Sequence, residues 1–428
     1  MVNQLKASLT LLDSNLREML LGSFVGFSVK LLSAISLFAM NLVVARTLGA
    51  AEAGLFFLGF TLVTMVAAVG RLGLDQSIVR FVAAKHATNA IASMHGVYRK
   101  SIIWVAVASG SLALIGWLCI DALTDQFFQQ PGFKPVLHSI MLAIPLTALF
   151  TVQAHALQGL KRVAKSMLTL SVVAPLSLLA FMMVAPVDSA VSLTHYFNVS
   201  CAIALLVGLL FWFQSAPQNH GAKTFPSDLL RKTCMPLWAV AILSQVTQWS
   251  SQIMLGTWSS AESVAFFATA QRTAMLTSFV LFAVNAIAAP KFAAMYAQGD
   301  LKGLRHLAIN SVRLMMVAAI PALSIMLLFP EWLMSFFGDD FRAASSALVI
   351  LALGQFVNIA TGSVGYLLSM TGHETHVRNN AIWSAVIAIV LGVILIPAYG
   401  LIGAAIATAV AIASQNLLGV YQVRKHLG

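Results

Sequence analysis

The chain has 428 residues and a formal net charge of +11, and 59% of its residues are hydrophobic while only 9% are charged. A soluble globular protein carries about 25% charged residues, so this composition excludes a water-soluble protein of this length. Its three cysteines lie in or beside apolar segments, which excludes a disulfide framework. We therefore expect an all-α integral membrane protein, whose helices satisfy their own backbone hydrogen bonds in lipid, with no cofactor and no metal.

Apolar segments long enough to cross a bilayer, about 20 residues each, recur along the whole chain. Residues 4–19, before the first of them, indicate a short amphipathic helix on the membrane surface. The pattern predicts about twelve transmembrane helices. In chain order, the predicted spans are 20–45, 52–72, 101–121, 135–158, 167–187, 191–213, 233–257, 263–288, 308–329, 344–368, 379–396 and 401–423.

Lysine and arginine are concentrated in every second connection between these spans. Of the 25 such residues, 20 fall on one side of the predicted membrane, three on the other side and two inside spans. Because basic connections stay in the cytoplasm, we expect a multi-pass protein with both termini cytoplasmic. This topology explains the net positive charge, and no nucleic-acid partner is expected.

The two halves of the chain share short sequence matches in the same order. AEAGLFF at 51–57 returns as AESVAFF at 261–267, and RFVA at 80–83 returns as KFAA at 291–294. We predict an N-terminal six-helix lobe at 1–213, a cytoplasmic linker at 214–232 and a C-terminal six-helix lobe at 233–428. Two such lobes, related by a pseudo-two-fold axis along the membrane normal, are typical of transporters that work by alternating access.

Ionisable residues inside predicted spans are costly and mark candidate functional sites. Lys30 lies about ten residues into the first span and Arg272 about nine into the eighth, so both are expected near the middle of the membrane. All 14 Asp and Glu residues fall in connections or at span ends, so an anionic substrate is a candidate counter-ion. Alternatively, Arg272 donates hydrogen bonds to carbonyl groups where the two halves meet. Lys30 could likewise extend its ammonium group towards the membrane–water interface.

Polar residues form stripes on two spans that the repeat relates to each other. Ser33 and Asn41 share a face of the first span with Lys30. Gln245, Gln248 and Gln252 form a stripe on the seventh span. We predict that both faces line one hydrated substrate cavity, although glutamines also serve as hydrogen-bonding contacts between membrane helices.

Several longer stretches resemble one known family of membrane proteins, and the resemblance runs along nearly the whole chain. It is carried by VARTLGAAEAGLFFLGFTLV and RLGLDQSIVRFVA in the first two spans, by AAPKFAAMYAQGD after Arg272, by FFGDDF and YLLSMTGHETHVRNN, and by the final PAYGLIGAAIATA. These stretches are similar to the polysaccharide-export branch, with its O-antigen (Wzx-type) flippases, of the multidrug/oligosaccharidyl-lipid/polysaccharide (MOP) superfamily. The resemblance implies a MATE-like fold of two six-helix halves around a cationic cavity.

The resemblance also implies a transporter and not an enzyme. Its expected substrate is a lipid-linked oligosaccharide of the undecaprenyl-pyrophosphate type. The protein would move it from the cytoplasmic to the outer leaflet of the bacterial inner membrane for O-antigen, lipopolysaccharide or other surface polysaccharide biosynthesis. Membrane lipids, glycosyltransferases and a polysaccharide polymerase are the expected partners.

Two alternatives stay open. One is a small-molecule exporter of the same fold, although such cation-coupled exporters typically hold a membrane carboxylate that is missing here. The other is a polysaccharide polymerase or ligase with a site on the 329–343 loop.

Overall fold

The computed structural model describes residues 14–130, 132–217 and 225–427, with side chains from residue 28 onward except at 282, 283, 286, 287 and 290. The amphipathic helix predicted at 4–19 falls largely outside the described residues, and so does the middle of the predicted linker at 214–232. The described residues form helices and no strand, as the composition predicts.

Sixteen α-helices follow one another along the described chain. They are α1 (Ser14–Gly70), α2 (Leu74–Ala87), α3 (Ile91–Leu118), α4 (Phe133–Ile140), α5 (Ala143–Gly159), α6 (Val163–Ser171), α7 (Val173–Val184), α8 (Ala190–Ser215), α9 (Ser227–Trp258), α10 (Ala261–Met275), α11 (Ser278–Ala297), α12 (Leu301–Leu328), α13 (Pro330–Ser335), α14 (Ser345–Thr361), α15 (Val364–Met370) and α16 (Glu374–Leu427). A π-helical turn (Ala122–Phe128) follows α3, and a 3₁₀ turn (Asp339–Ala344) precedes α14.

The longest helices, α1 and α16, are hairpins and not straight rods. Helix α1 breaks at Gly49, whose φ of 71° suits glycine, and α16 breaks at Gly400 with φ 51°. A straight helix would hold Ser384 about 40 Å from Ala411, yet the Ser384 hydroxyl donates to the Ala411 carbonyl at 2.9 Å. In α1, Asn41 and Phe57 lie on either side of Gly49 and both contact Arg272. The chain therefore reverses direction at each break, close to the gaps predicted between spans.

Seven of the described helical segments are long and apolar enough to cross a membrane, or nine if two bent pairs each count as one span. The bent pairs are α4 with α5, at 41°, and α6 with α7, at 44°. Helix α9 is 32 residues long but is not among the seven, because the glutamines and serines of its predicted stripe lower its hydropathy. The total of about twelve crossings stays a prediction.

The first and second halves of the chain meet closely at the end of the bundle that contains Gly49, called here the Gly49 end. Gly54 of α1 approaches the second half so closely that a β-carbon there would lie 1.8 Å from the Ala261 carbonyl oxygen. Beside this contact, Gln130 donates from Nε2 to the Gly256 carbonyl at 3.1 Å and to the Ser259 carbonyl. The halves are therefore closed against each other at this end.

At the opposite end, called here the Arg71 end, the described contacts between the halves run through α9. The Trp238 indole donates to the Val69 carbonyl at 2.9 Å, and Gly73 packs against Cys234 and Trp238. Gly73 belongs to the turn before α2, a helix that occupies what the sequence pattern predicted as a connection between spans. The segment before α9 takes part as well, because Lys100 Nζ donates to the Phe225 carbonyl at 2.7 Å.

Candidate functional site

A central cavity of about 410 Å³ lies between the two halves. Four of the predicted site residues line it, two from each half: Lys30, Asn41, Gln248 and Arg272. Aromatic side chains form much of the remaining wall, namely Phe38, Phe60, Trp249 and Phe279. The structure thus brings the two predicted cations to one cavity, across a sequence separation of more than half the chain.

Arg272 is the most constrained of these residues. It is only 8% exposed, and its Nη1 donates to Asn41 Oδ1 at 2.7 Å. Its guanidinium carbon lies 4.4 Å from the ring centre of Phe57 and 5.3 Å from that of Phe60, so cation–π contacts hold the charge against the first half. Its Nη2 is buried without a hydrogen-bond partner among the described residues.

The sequence of α10 explains how a buried arginine reaches this position. The helix starts at a Ser260 cap, whose hydroxyl accepts from the Ser263 amide, and it consists largely of small residues. Buried alanines, Ala265, Ala268 and Ala274 among them, allow close packing against neighbouring helices. The guanidinium can then cross to α1.

Lys30 also borders a second cavity, of about 340 Å³, whose described wall comes from the first half of the chain except for Phe279. Ser33 lines this cavity and not the central one, and its hydroxyl donates to the Val29 carbonyl of its own helix at 2.8 Å. Arg71 lies on the same wall and pairs with Asp75 at 3.3 Å. The sequence pattern assigned Arg71 only to membrane orientation, because its position at the end of a span looks like a connection.

The glutamine stripe of α9 is divided between two environments. Gln248 faces the central cavity, whereas Gln252 is fully buried and donates to the Phe57 carbonyl at 3.0 Å. Gln245 lies in a separate apolar groove beside Leu62. Seven residues turn a helix by about 700° and three by about 300°, so Gln245 and Gln252 point the same way and Gln248 points about 60° aside. The structure therefore places Gln245 and Gln252 between helices and not on the wall of the central cavity.

A third cavity, of about 310 Å³, lies within the second half of the chain and is called here the amide cavity. Its wall carries six amide side chains: Gln248, Gln271, Gln355, Asn358, Gln415 and Asn416. Of these six, only Gln248 belongs to the predicted site residues, and Gln271, Gln415 and Asn416 escaped the sequence analysis. No regularly spaced row of polar residues marks their positions in the sequence.

Charge is distributed unevenly over these three cavities. Lys30, Arg71 and Arg272 are the charged side chains among the described lining residues, and no carboxylate lines any of the three walls. Neighbouring cavities share residues: Lys30 and Phe60 border the first two, while Gln248 and Met275 border the central and amide cavities. The three cavities are thus neighbours with shared walls, and their positive charge lies in the centre and in the first half.

Comparisons with known proteins agree with this architecture. A family model described as "Polysaccharide biosynthesis protein" matches residues 19–296, and the MatE family model matches residues 236–394. A curated relative, the probable low-salt glycan biosynthesis flippase Agl15 of Haloferax volcanii, is 24% identical over 381 residues, which are 87% of this chain and 77% of the relative.

Two solved structures share the fold at low sequence identity. The lipid II flippase MurJ in an inward closed conformation has a TM-score of 0.77 at 14% identity, covering 93% of this chain and 87% of its own. An inward-facing MATE family multidrug transporter of the MOP superfamily has a TM-score of 0.76 at 15% identity, covering 95% and 98%. The expected MATE-like helical fold is confirmed. The chain belongs to the polysaccharide biosynthesis protein family.

Proposed function

We propose that this protein is a flippase for a lipid-linked oligosaccharide of the undecaprenyl-pyrophosphate type. It moves this lipid from the cytoplasmic to the outer leaflet of a bacterial inner membrane, for the synthesis of a surface polysaccharide such as the O-antigen of lipopolysaccharide. Glycosyltransferases and a polymerase would supply the substrate and use the product. The observation that carries the proposal is Arg272, buried between the halves with Nη2 directed to no described partner.

A pyrophosphate fits the charge of the central cavity. A buried guanidinium needs a compensating anion or full hydrogen bonding, and no described lining residue of the cavity supplies a carboxylate. Arginine binds phosphate oxygens through its planar fork, and a lysine adds a second point charge. Lys30 and Arg272 border the same cavity from opposite halves, so one diphosphate group would contact both. The aromatic and aliphatic remainder of the wall suits the isoprenoid that carries the diphosphate.

The contacts between the halves support an alternating-access mechanism. The predicted topology puts the Gly49 end outside, so closure there and a cleft reaching Lys30 and Arg71 correspond to a state loaded from the cytoplasm. Release outside requires the Gln130, Gln252 and Arg272 contacts to break. Each hydrogen bond contributes only about 0.5–3 kcal/mol, which allows the reversible rocking of two rigid halves.

A small-molecule exporter is the second candidate, because the MatE family model matches residues 236–394. The cation-coupled exporters of this superfamily are expected to hold a carboxylate in the membrane. The described walls of the three cavities hold none, so the flippase explains the charge of the site better.

The sidedness of lipid-linked sugar in living cells tests the proposal. We expect cells that lack the gene, and any redundant flippase, to accumulate the lipid on the cytoplasmic leaflet. The wild-type gene should reverse this and Arg272→Gln should not. Arg342→Gln is the matched control, since Arg342 is exposed, pairs with Asp339 and lines none of the three cavities. An unchanged leaflet distribution in the deletion strain would refute the flippase and favour the exporter.

A further inference from the structure

We propose that the amide cavity binds the first sugar residues of the transported lipid through hydrogen bonds to their neutral hydroxyl groups. This inference rests on the proposed function and adds a location for the glycan. It divides the site into two parts: Lys30 and Arg272 hold the diphosphate in the central cavity, and the second half of the chain holds the sugar.

The chemistry of the wall points to a neutral, hydroxyl-rich ligand. Asn and Gln side chains both donate and accept hydrogen bonds, as sugar hydroxyls do. The six amides are joined by the hydroxyls of Ser244, Thr247 and Thr408, and no charged side chain is among the described lining residues. The corresponding cavity of the first half has no Asn or Gln on its described wall. The amides are therefore a property of this one cavity and not of the repeated fold.

Gln271 supplies a second, independent observation. It is only 4% exposed, and its Nε2 donates to the Gln248 carbonyl at 2.8 Å. That bond fixes the side chain, while its Oε1 is buried without a partner. An unpaired buried acceptor costs about 1–3 kcal/mol, and a sugar hydroxyl would remove that cost.

Other amides on the wall are already oriented for a ligand. Gln355 Oε1 accepts from Ser278 at 3.1 Å and from Asn358 at 3.1 Å. This arrangement turns the Gln355 amide nitrogen away from those two partners, so that it can donate to a ligand. Asn416 Nδ2 donates to the Ile412 carbonyl at 2.9 Å, which leaves its oxygen as an acceptor. Side chains fixed in this way lose little entropy on binding.

The position of the cavity matches the covalent structure of the substrate. Gln271 and Arg272 are consecutive on α10, so their side chains diverge by about 100°, one into each cavity. Gln248 and Met275 border both cavities. A diphosphate at Arg272 would therefore place the sugar bonded to it at the mouth of the amide cavity. The volume of 310 Å³ lies within the range of about 300–1,000 Å³ found for small-ligand pockets.

Binding of matched lipids to the full-length protein in nanodiscs tests the inference. The probes are radiolabelled farnesyl pyrophosphate, which carries no sugar, and farnesyl pyrophosphoryl glucose, galactose, N-acetylglucosamine and N-acetylgalactosamine. We expect at least one sugar-bearing probe to bind wild-type protein about tenfold more tightly than farnesyl pyrophosphate. Gln271→Met and Gln415→Met should each weaken the binding of that probe by about five- to thirty-fold. The affinity of each variant for farnesyl pyrophosphate should stay within twofold of the wild-type value.

Gln422→Met is the matched control. Gln422 is an amide residue of the same half that accepts from Asn380 at 2.8 Å and lies outside the amide cavity. Its replacement should therefore not change the increase in affinity that the sugar gives. Gln415→Met is included beside Gln271→Met because Gln415 forms no hydrogen bond with any other described residue, so its replacement should not affect folding. The thermal unfolding midpoint of each variant confirms that it is folded.

The outcomes separate this inference from the proposed function. If no sugar increases affinity, or if the increase survives both cavity variants, the amide cavity holds only water and the inference is refuted. The proposed function still stands in that case, provided that farnesyl pyrophosphate binds and that Arg272→Gln weakens it. If farnesyl pyrophosphate does not bind, or binds equally to Arg272→Gln, the proposed diphosphate site is refuted instead.

Discussion

Gly54→Ala should open the protein at the Gly49 end. A β-carbon at residue 54 would lie 1.8 Å from the Ala261 carbonyl oxygen, and Cβ contacts essentially never fall below 3.0 Å. The β-carbon is attached directly to the backbone and the carbonyl oxygen is part of it, so no side-chain rotation relieves the clash. The two halves must separate here by about 1.2 Å or more.

The cost of that separation follows from the bonds it breaks. An added 1.2 Å would stretch the Arg272–Asn41 bond of 2.7 Å and the Gln252–Phe57 bond of 3.0 Å beyond hydrogen-bonding distance. One charged and one neutral bond together contribute about 2–4 kcal/mol. The ratio of closed to open protein at this end should therefore fall by about 30- to 1,000-fold.

Distance measurement by double electron–electron resonance checks this prediction. Spin labels at Asp125 and Asp340, exposed positions on opposite halves at the Gly49 end, should move apart in Gly54→Ala. Gly110→Ala is the control, because nothing lies within 4 Å of a β-carbon there, and it should leave the distances unchanged. The native cysteines are first replaced by serine or alanine: Cys119, Cys201 and Cys234. A wild-type distance distribution in Gly54→Ala would refute the reasoning.

Three further predictions concern the cations and the topology. Arg272→Gln should lower lipid transport by about tenfold or more at an unchanged protein level, because it removes the buried charge, and Arg272→Lys should retain part of the rate; equal rates in all three would contradict a charge-dependent site. Lys30→Ala should impair transport, and Lys30→Arg should retain part of it, since arginine keeps the positive charge of lysine but not its shape. Transport is measured by the same leaflet assay, and a wild-type rate in Lys30→Ala would show that Lys30 is not part of the site. Cysteines introduced near Asp188 should react with an impermeant maleimide in sealed cells and those near Arg162 should not, because the basic connections are predicted to be cytoplasmic; labelling near Arg162 would reverse the orientation.

The sequence predicted the helical class and the position of the main charge for simple reasons. Mean hydropathy over about 20 residues identifies membrane spans, because a segment in lipid must be apolar and must satisfy its backbone hydrogen bonds within its own helix. Arg272 was found because it is an isolated charge in an alanine-rich segment. Asn41 was found from its helix face, but its bond to Arg272 joins residues 231 positions apart, and nothing in the local pattern gives such a pairing.

The pattern was less informative about which cavity each polar residue faces. Periodicity fixes angles within one helix but not the neighbour that each face meets, so Gln245 and Gln248 received the same prediction and occupy different environments. Gln271 was missed because it precedes Arg272 on a helix without a polar stripe. Arg71 was counted with the connections, and only the fold of the bundle places it on a cavity wall.

The hairpin at Gly49 fixes the rotational phase of its second arm. Because the chain turns at this residue, inserting or deleting a residue there would rotate the second arm by about 100° relative to the first. Phe57 and Phe60 would then leave the face that contacts Arg272. Length changes among relatives should therefore be absent from this turn and collect in connections such as 329–343, where added residues leave the register of the site intact.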